Sequence, residues 1–191
     1  MTQVPNDAAK FLKDYFPDGT LCRFVNRRTG TLLDVRPNLD VVNDEIPQVV
    51  CNQESAGVQY WIITPFGDGQ AIVPVPKDGS SKIRYLTPSS VSDNLAVTIS
   101  PFPVSWIIFP TTACPKFSGS PLVVPTVPLG QYAEWTCQIC WPHFKNTEPK
   151  VLDLLNPNLD PNSKVTIYTH GAGANLDRQF WRVQFIRGPA A

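Results

Sequence analysis

Two stretches decide the fold: "LDRQFWRVQF", residues 176–185, and "VQYWIITP", residues 58–65. Each places a glutamine two residues before a tryptophan and then runs into apolar residues: Gln59-Tyr60-Trp61 and Gln179-Phe180-Trp181. A third stretch, "VSWIIFP" at 104–110, keeps Trp106 and the apolar run but has Val104 where the glutamine would stand. One such triplet means little. Three related strand endings in one chain point to an internal repeat.

The likeness extends upstream. Before Trp61 come "TLLDV", a polar stretch, "PQVVCNQ" and the turn "ESAG". Before Trp181 come "KVLDLL", an Asn-Leu-Asp segment, "KVTIYT" and a glycine-containing turn. Asp34 precedes Trp61 by 27 residues and Asp153 precedes Trp181 by 28. The middle copy, up to Trp106, has no Leu-Asp-Val and aligns in more than one register; Asp78 lies 28 residues before Trp106, in a turn-like context. Trp61 to Trp106 is 45 residues, but Trp106 to Trp181 is 75. The excess falls in residues 110–132, which hold five prolines. A long connection of this kind is uncommon in a compact domain and is often functional.

The rest of the chain agrees with short strands and turns. Twenty prolines and eleven glycines punctuate its 191 residues, which favours strands over long helices. The exception is residues 6–16. There Asn6 can cap a short helix whose Phe11, Leu12, Tyr15 and Phe16 share a face, with Pro17 and Gly19 stopping it. Sixteen basic and sixteen acidic residues cancel. No basic stripe offers a phosphate-binding field, so nucleic acid is not an expected partner. No apolar run approaches the roughly 20 residues of a membrane helix, and the first residues lack a secretory apolar region. With five cysteines, an odd number, this gives the expectation of reduced thiols in a cytoplasmic protein.

Three four-strand units make twelve strands, and closing them about a pseudo-threefold axis removes the exposed edges of an open sheet. The expected fold is therefore all-β: a single β-trefoil domain over 1–191, with a short N-terminal helix. Its units cover about 19–66, 67–110 and 130–188, with the 110–132 insertion between the second and the third. The repeated tryptophans would pack inward.

"TGTLLDV" followed by "VQYW", and "KVLDLL" followed by "RQFW", resemble the ricin B-type (Gln-x-Trp) lectin domain, over most of residues 19–186. The resemblance implies a carbohydrate-binding protein without catalysis, of a kind common among fungal proteins, with glycans or glycoproteins as partners. In that family an Asp after the second strand begins accepts hydrogen bonds from sugar hydroxyls. An aromatic residue on the next strand stacks on the apolar face of the ring, and an Asn beside the Gln-x-Trp completes the contacts. The chemistry suits a ligand with one apolar face and a fan of hydroxyls. Carried over, the first copy supplies Asp34, Gln48 and Gln59, but its aromatic position falls near Val50 and its Asn position at Val58. The third copy supplies Asp153, Tyr168, Asn175, Asp177 and Gln179, with Arg178 at the family's Asn position. A single pocket per chain would require a homodimer for cross-linking.

Other readings stay open. The same fold carries fungal protease inhibitors, and the 110–132 insertion is the loop that would enter a protease cleft, held rigid beforehand. A degenerate lectin scaffold could also serve as an enzyme or an interaction module. Asp34 and Asp153 could do no more than brace turns. "CQICWPH" offers Cys137, Cys140 and His143, but cysteines three apart on a strand face opposite sides, so neither a metal site nor a cofactor is expected. A cysteine such as Cys140 or Cys51 could meet His170 in space as a nucleophilic pair, since such pairs form in the fold and not in the sequence. No phosphate loop, nucleophile elbow or HExxH motif is present.

Overall fold

The structure is a computed structural model. It describes residues 18–35, 49–53, 59–75, 83–90, 92, 94–110, 134–141, 150–155, 163–170 and 176–186. The expected N-terminal helix lies outside these residues, as does nearly all of the 110–132 insertion.

Twelve strands are formed among the described residues, in three sets of four. The first set is β1 (Thr20–Asn26), β2 (Leu32–Val35), β3 (Val49–Asn52) and β4 (Trp61–Phe66). The second is β5 (Gly69–Pro74), β6 (Tyr85–Pro88), β7 (Leu95–Ser100) and β8 (Ile107–Pro110). The third is β9 (Glu134–Trp141), β10 (Lys150–Leu154), β11 (Ser163–Thr169) and β12 (Trp181–Phe185). The outer strands of each set build a ring. β1 pairs with β4 and β12, β4 with β5, and β9 with β8 and β12, all antiparallel. The ring closes between β5 and β8 through a bridge from Gln70 to Trp106, with both backbone N–H···O bonds at 2.8 Å. The inner strands form three hairpins, β2–β3, β6–β7 and β10–β11, and β11 joins the other two by pairing with β3 and β7. A six-strand barrel capped by three hairpins is the β-trefoil.

Local chemistry explains the turns. In "NRRTG" the Asn26 Oδ1 accepts from the backbone N–H groups of Arg28 and Thr29, and Gly30 takes a φ of 72° that a side chain would resist. β4 and β5 meet through the two-residue loop Gly67-Asp68, where Gly67 has a φ of 57°, as a tight hairpin with glycine first requires. Gly69 is needed for space: a Cβ there would stand 2.2 Å from the Trp106 backbone oxygen. The backbone at Trp106, just before β8, would have to move away where the barrel closes. Gly69→Ala is therefore expected to cost about 2 kcal/mol, as overpacking does. Chemical denaturation would measure it, and an unchanged midpoint would mean that the β5–β8 seam yields freely.

The three tryptophans define the pseudo-threefold axis. Trp61, Trp106 and Trp181 are completely buried in one continuous core. Each indole Nε1–H donates to the backbone oxygen of a leucine in its own unit's hairpin: Trp61 to Leu33 at 3.1 Å, Trp106 to Leu86 at 2.8 Å, and Trp181 to Leu152 at 3.2 Å. This equivalence resolves the middle copy. Leu86-Thr87 matches Leu33-Asp34 and Leu152-Asp153, so a threonine holds the acid's position and the spacing to the tryptophan is shorter than in the other units. Asp78 lies outside the described residues. Another difference concerns the quoted C-terminal stretch. Leu176–Gln179 is a 3-10 turn, and the strand begins only at Trp181.

The cysteines follow strand parity. Cys137 lies opposite Trp181 and belongs to the core, whereas Cys140 lies opposite Val151 and Ile107 and is buried outside that cluster. Cys22, Cys51, Cys137 and Cys140 are free thiols. Burial raises the pKa of Cys22 and Cys137 well above the ordinary thiol value, and pushes Cys51 up to about 12. Thiolate, not thiol, is the reactive form. Cys22, Cys51 and Cys137 should therefore stay unmodified when the native protein meets iodoacetamide at pH 8, and react fully once it unfolds. Peptide mass spectrometry checks this. The same burial makes alkali destabilising: from pH 9 toward 12 the unfolded thiols ionise while the folded ones cannot, so unfolding gains.

Candidate functional site

Hairpin register shows which unit places an aromatic residue beside the acid. In β2–β3, Asp34 lies opposite Val50 and Leu32 opposite Asn52. In β6–β7, Thr87 lies opposite Thr98 and Tyr85 opposite Ser100. In β10–β11, Asp153 lies opposite Thr166 and Val151 opposite Tyr168. Asn52, Ser100 and Tyr168 are thus equivalent, and only unit three has an aromatic ring there. This also moves the aromatic position of unit one from Val50 to Asn52. Asp153 and Tyr168 stand diagonally across the hairpin on one face, because residues two apart along a strand share a face.

The acid and the glutamine are retained or lost together. Gln179 Nε2 donates to Asp153 Oδ2 at 2.9 Å and to the Thr169 backbone oxygen at 3.3 Å. Gln59 Nε2 donates to Asp34 Oδ2 at 3.3 Å and to the Gln53 backbone oxygen at 2.7 Å. In unit two neither the acid nor the amide is present; Thr87 Oγ1 is within bonding distance of the Tyr85 and Phe102 backbone oxygens. The glutamine of Gln-x-Trp therefore supplies a buried donor to a buried carboxylate, which would otherwise lose its hydration without compensation.

Asp153 is only 1% exposed. Arg178 covers it. Arg178 Nε stands 2.8 Å from Asp153 Oδ1 and 3.0 Å from Oδ2, and its guanidinium carbon lies 5.2 Å from the centre of the Tyr168 ring. The Arg178 backbone is fixed as well, since Asn26 Nδ2 donates to its carbonyl at 2.9 Å. Next to it, Arg27 N donates to the Phe180 carbonyl at 2.9 Å, and the Arg27 side chain faces Asp177 at 3.9 Å. The turn between β1 and β2 thus holds the 3-10 segment in place over the third hairpin.

The remaining sequence-derived residues fall in three places. Asp34 and Gln59 are together but enclosed in unit one. Asp177 is exposed and faces Arg27 rather than Asp153. Gln48 and Asn175 lie outside the described residues, as do Cys114 and His143. His170 Nε2 is 3.1 Å from Gln138 Oε1, a side chain itself buried. No group of three His, Cys, Asp or Glu side chains able to hold a metal ion occurs among the described residues, and no helix among them is long and apolar enough to cross a membrane. Arg178, which governs this site, was visible in the sequence only as a departure at the family's Asn position. Thr87 could have been found from the preceding leucine, since "YLTP" keeps the Leu of "LLDV" and "VLDL".

No protein-family model matches the chain, and no curated protein does. Solved structures do. A designed threefold-symmetric protein, ThreeFoil, is similar with a TM-score of 0.55 at 20% identity, over 86% of this chain and 97% of its own. The exo-beta-1,3-galactanase 1,3Gal43A of Clostridium thermocellum is similar with a TM-score of 0.55 at 19% identity, over 90% of this chain but only 31% of the enzyme. The Rhizoctonia solani agglutinin is similar with a TM-score of 0.53 at 20% identity, over 91% of this chain and 97% of the agglutinin. At these identities the likeness establishes the fold, a β-trefoil of the kind an agglutinin also uses.

Proposed function

We propose that the protein binds carbohydrate, without turnover, at the third hairpin. The observation that carries this reading is the group Asp153–Gln179–Arg178 beside Tyr168. It joins a buried carboxylate, an amide that seats it, and an aromatic residue two positions away on the same face. Units one and two lack the ring at the equivalent position, so one site per chain is expected. The shared fold with an agglutinin supports the ligand class. A sugar ring offers apolar C–H groups to a flat surface and hydroxyls to fixed polar atoms. Here the flat surface is the Arg178–Tyr168 stack, and Asp153 acts as a positioning residue beneath it.

A glycan array probed with the purified protein tests this. Binding to a restricted set of glycans is expected, and Tyr168→Ala should weaken it about tenfold by removing the support of the stack, a loss of roughly 1–2 kcal/mol. The variant should remain folded, since Tyr168 lies at the half-buried end of its strand. Absence of binding to every glycan, by a protein shown to be folded, would reject the proposal.

A further inference from the structure

The geometry points to an anionic sugar as the ligand of this site: a glycan whose terminal residue carries a carboxylate or a sulfate, gripped by the outer edge of Arg178. This rests on the carbohydrate reading above and narrows it.

A neutral sugar would meet a difficulty here. Its hydroxyls need acceptors as well as donors, and the acceptor that the lectin-like pattern provides is Asp153. That carboxylate is enclosed, with Arg178 Nε between its oxygens and Gln179 Nε2 on Oδ2. The Tyr168 face is likewise covered by the guanidinium. A neutral sugar could use either only after Arg178 had been displaced from a nearly buried ion pair and from its ring.

Left in place, Arg178 presents a different surface. A guanidinium has five N–H donors and no acceptor. One of them, Nε–H, is engaged by Asp153. Among the described residues, Nη1 and Nη2 have no hydrogen-bond acceptor, and the side chain remains 19% exposed. What is offered outward is a planar set of donors, which matches the paired oxygens of a carboxylate or sulfate. The group is also held at three points before any ligand arrives: the backbone by Asn26, Nε by Asp153, and the plane by Tyr168. Ordering an arginine costs side-chain entropy, and here that cost is met on folding rather than on binding. The Asp153–Arg178 pair is neutral overall, so the preference arises from fork geometry at short range and not from a broad positive field. The exposed acid that precedes Arg178 in sequence, Asp177, is turned toward Arg27.

Calorimetric titration of lactose, a sialylated lactose and a sulfated lactose decides the matter, using wild type, Arg178→Lys and Arg178→Asn, each shown to be folded by its thermal transition. Wild type should bind at least one of the two anionic glycans about tenfold or more tightly than lactose. Arg178→Lys keeps the charge but not the fork and should lose most of that preference. Arg178→Asn should abolish it, and by uncovering Asp153 and Tyr168 should raise affinity for lactose. Equal affinities for the three glycans in wild type, unchanged in Arg178→Lys, would overturn the anionic inference and leave carbohydrate binding standing. Binding confined to neutral glycans elsewhere on an array would do the same. No glycan binding of any kind would remove both.

Discussion

Replacing Trp181 with alanine should destabilise the protein by about 3–5 kcal/mol, as deletion of a fully buried large side chain does. The indole is completely enclosed in the core that the barrel shares with its cap, and alanine would leave a cavity which that packing can close only in part. The Leu152 carbonyl would also lose its donor. Trp181→Phe separates the two effects, since it retains most of the volume and loses the N–H; it should cost less, with about 1 kcal/mol attributable to the hydrogen bond. The pseudo-threefold arrangement sharpens this expectation. Trp61→Phe and Trp106→Phe remove equivalent bonds to Leu33 and Leu86, so urea denaturation of the three variants should give similar losses. A tryptophan whose alanine variant unfolds at the wild-type midpoint would show that its unit does not share the common core.

Those tryptophans were legible in the sequence because each must meet two demands at once, an apolar slot and an acceptor for its N–H. The residues that meet these demands recur with the repeat: Leu33, Leu86 and Leu152 supply backbone oxygen, whatever follows them in sequence. Unit two was hard to align for a physical reason. Its Thr87 and Val104 have replaced the Asp and Gln together, and with the carboxylate gone there was nothing for the amide to hold. The polar landmarks vanished as a pair, leaving only the tryptophan and its leucine. The parity of Cys137 and Cys140 was readable from strand alternation alone.

Two features of the site were not readable in that way. The burial of Asp153 depends on a side chain 25 positions later, and on the 3-10 turn that aims it. Strand periodicity carries no information about such a turn; it is held by Asn26 and Arg27 from the other end of the chain. The aromatic position of unit one was similarly misplaced by two residues. Spacing from the tryptophan is a poor ruler when the loops between strands differ in length, whereas hairpin register counts from the acid itself. Asn52 and Tyr168 become comparable only once Leu32 and Val151 are seen to face them.

Asp153→Ala should cost about 3 kcal/mol, the lower end of the range for removing one partner of a buried ion pair. The lower end applies because Arg178, part-exposed, can turn toward water once its partner is gone. Gln179 cannot turn away: it is completely buried, and its Nε2 would lose the bond to Asp153 while the one to the Thr169 carbonyl at 3.3 Å remains. Arg178→Ala should cost less, about 1.5–2 kcal/mol, the value of a hydrogen bond to a charged group. Asp153 then retains its bond from Gln179, and water can enter the space that the guanidinium leaves. The double variant should be close to Asp153→Ala alone, since with the carboxylate absent Arg178 has little left to stabilise beyond its contact with Tyr168. Denaturant titration of the four proteins closes this cycle. The order of the two single variants is the informative result. If Arg178→Ala proves the more damaging, the arginine is itself the structural member of the pair, and a surface that must remain locked for the fold to stand would be a poor place to receive a ligand. If the order is as expected, the carboxylate and its glutamine form the support, and Arg178 is the group they hold outward.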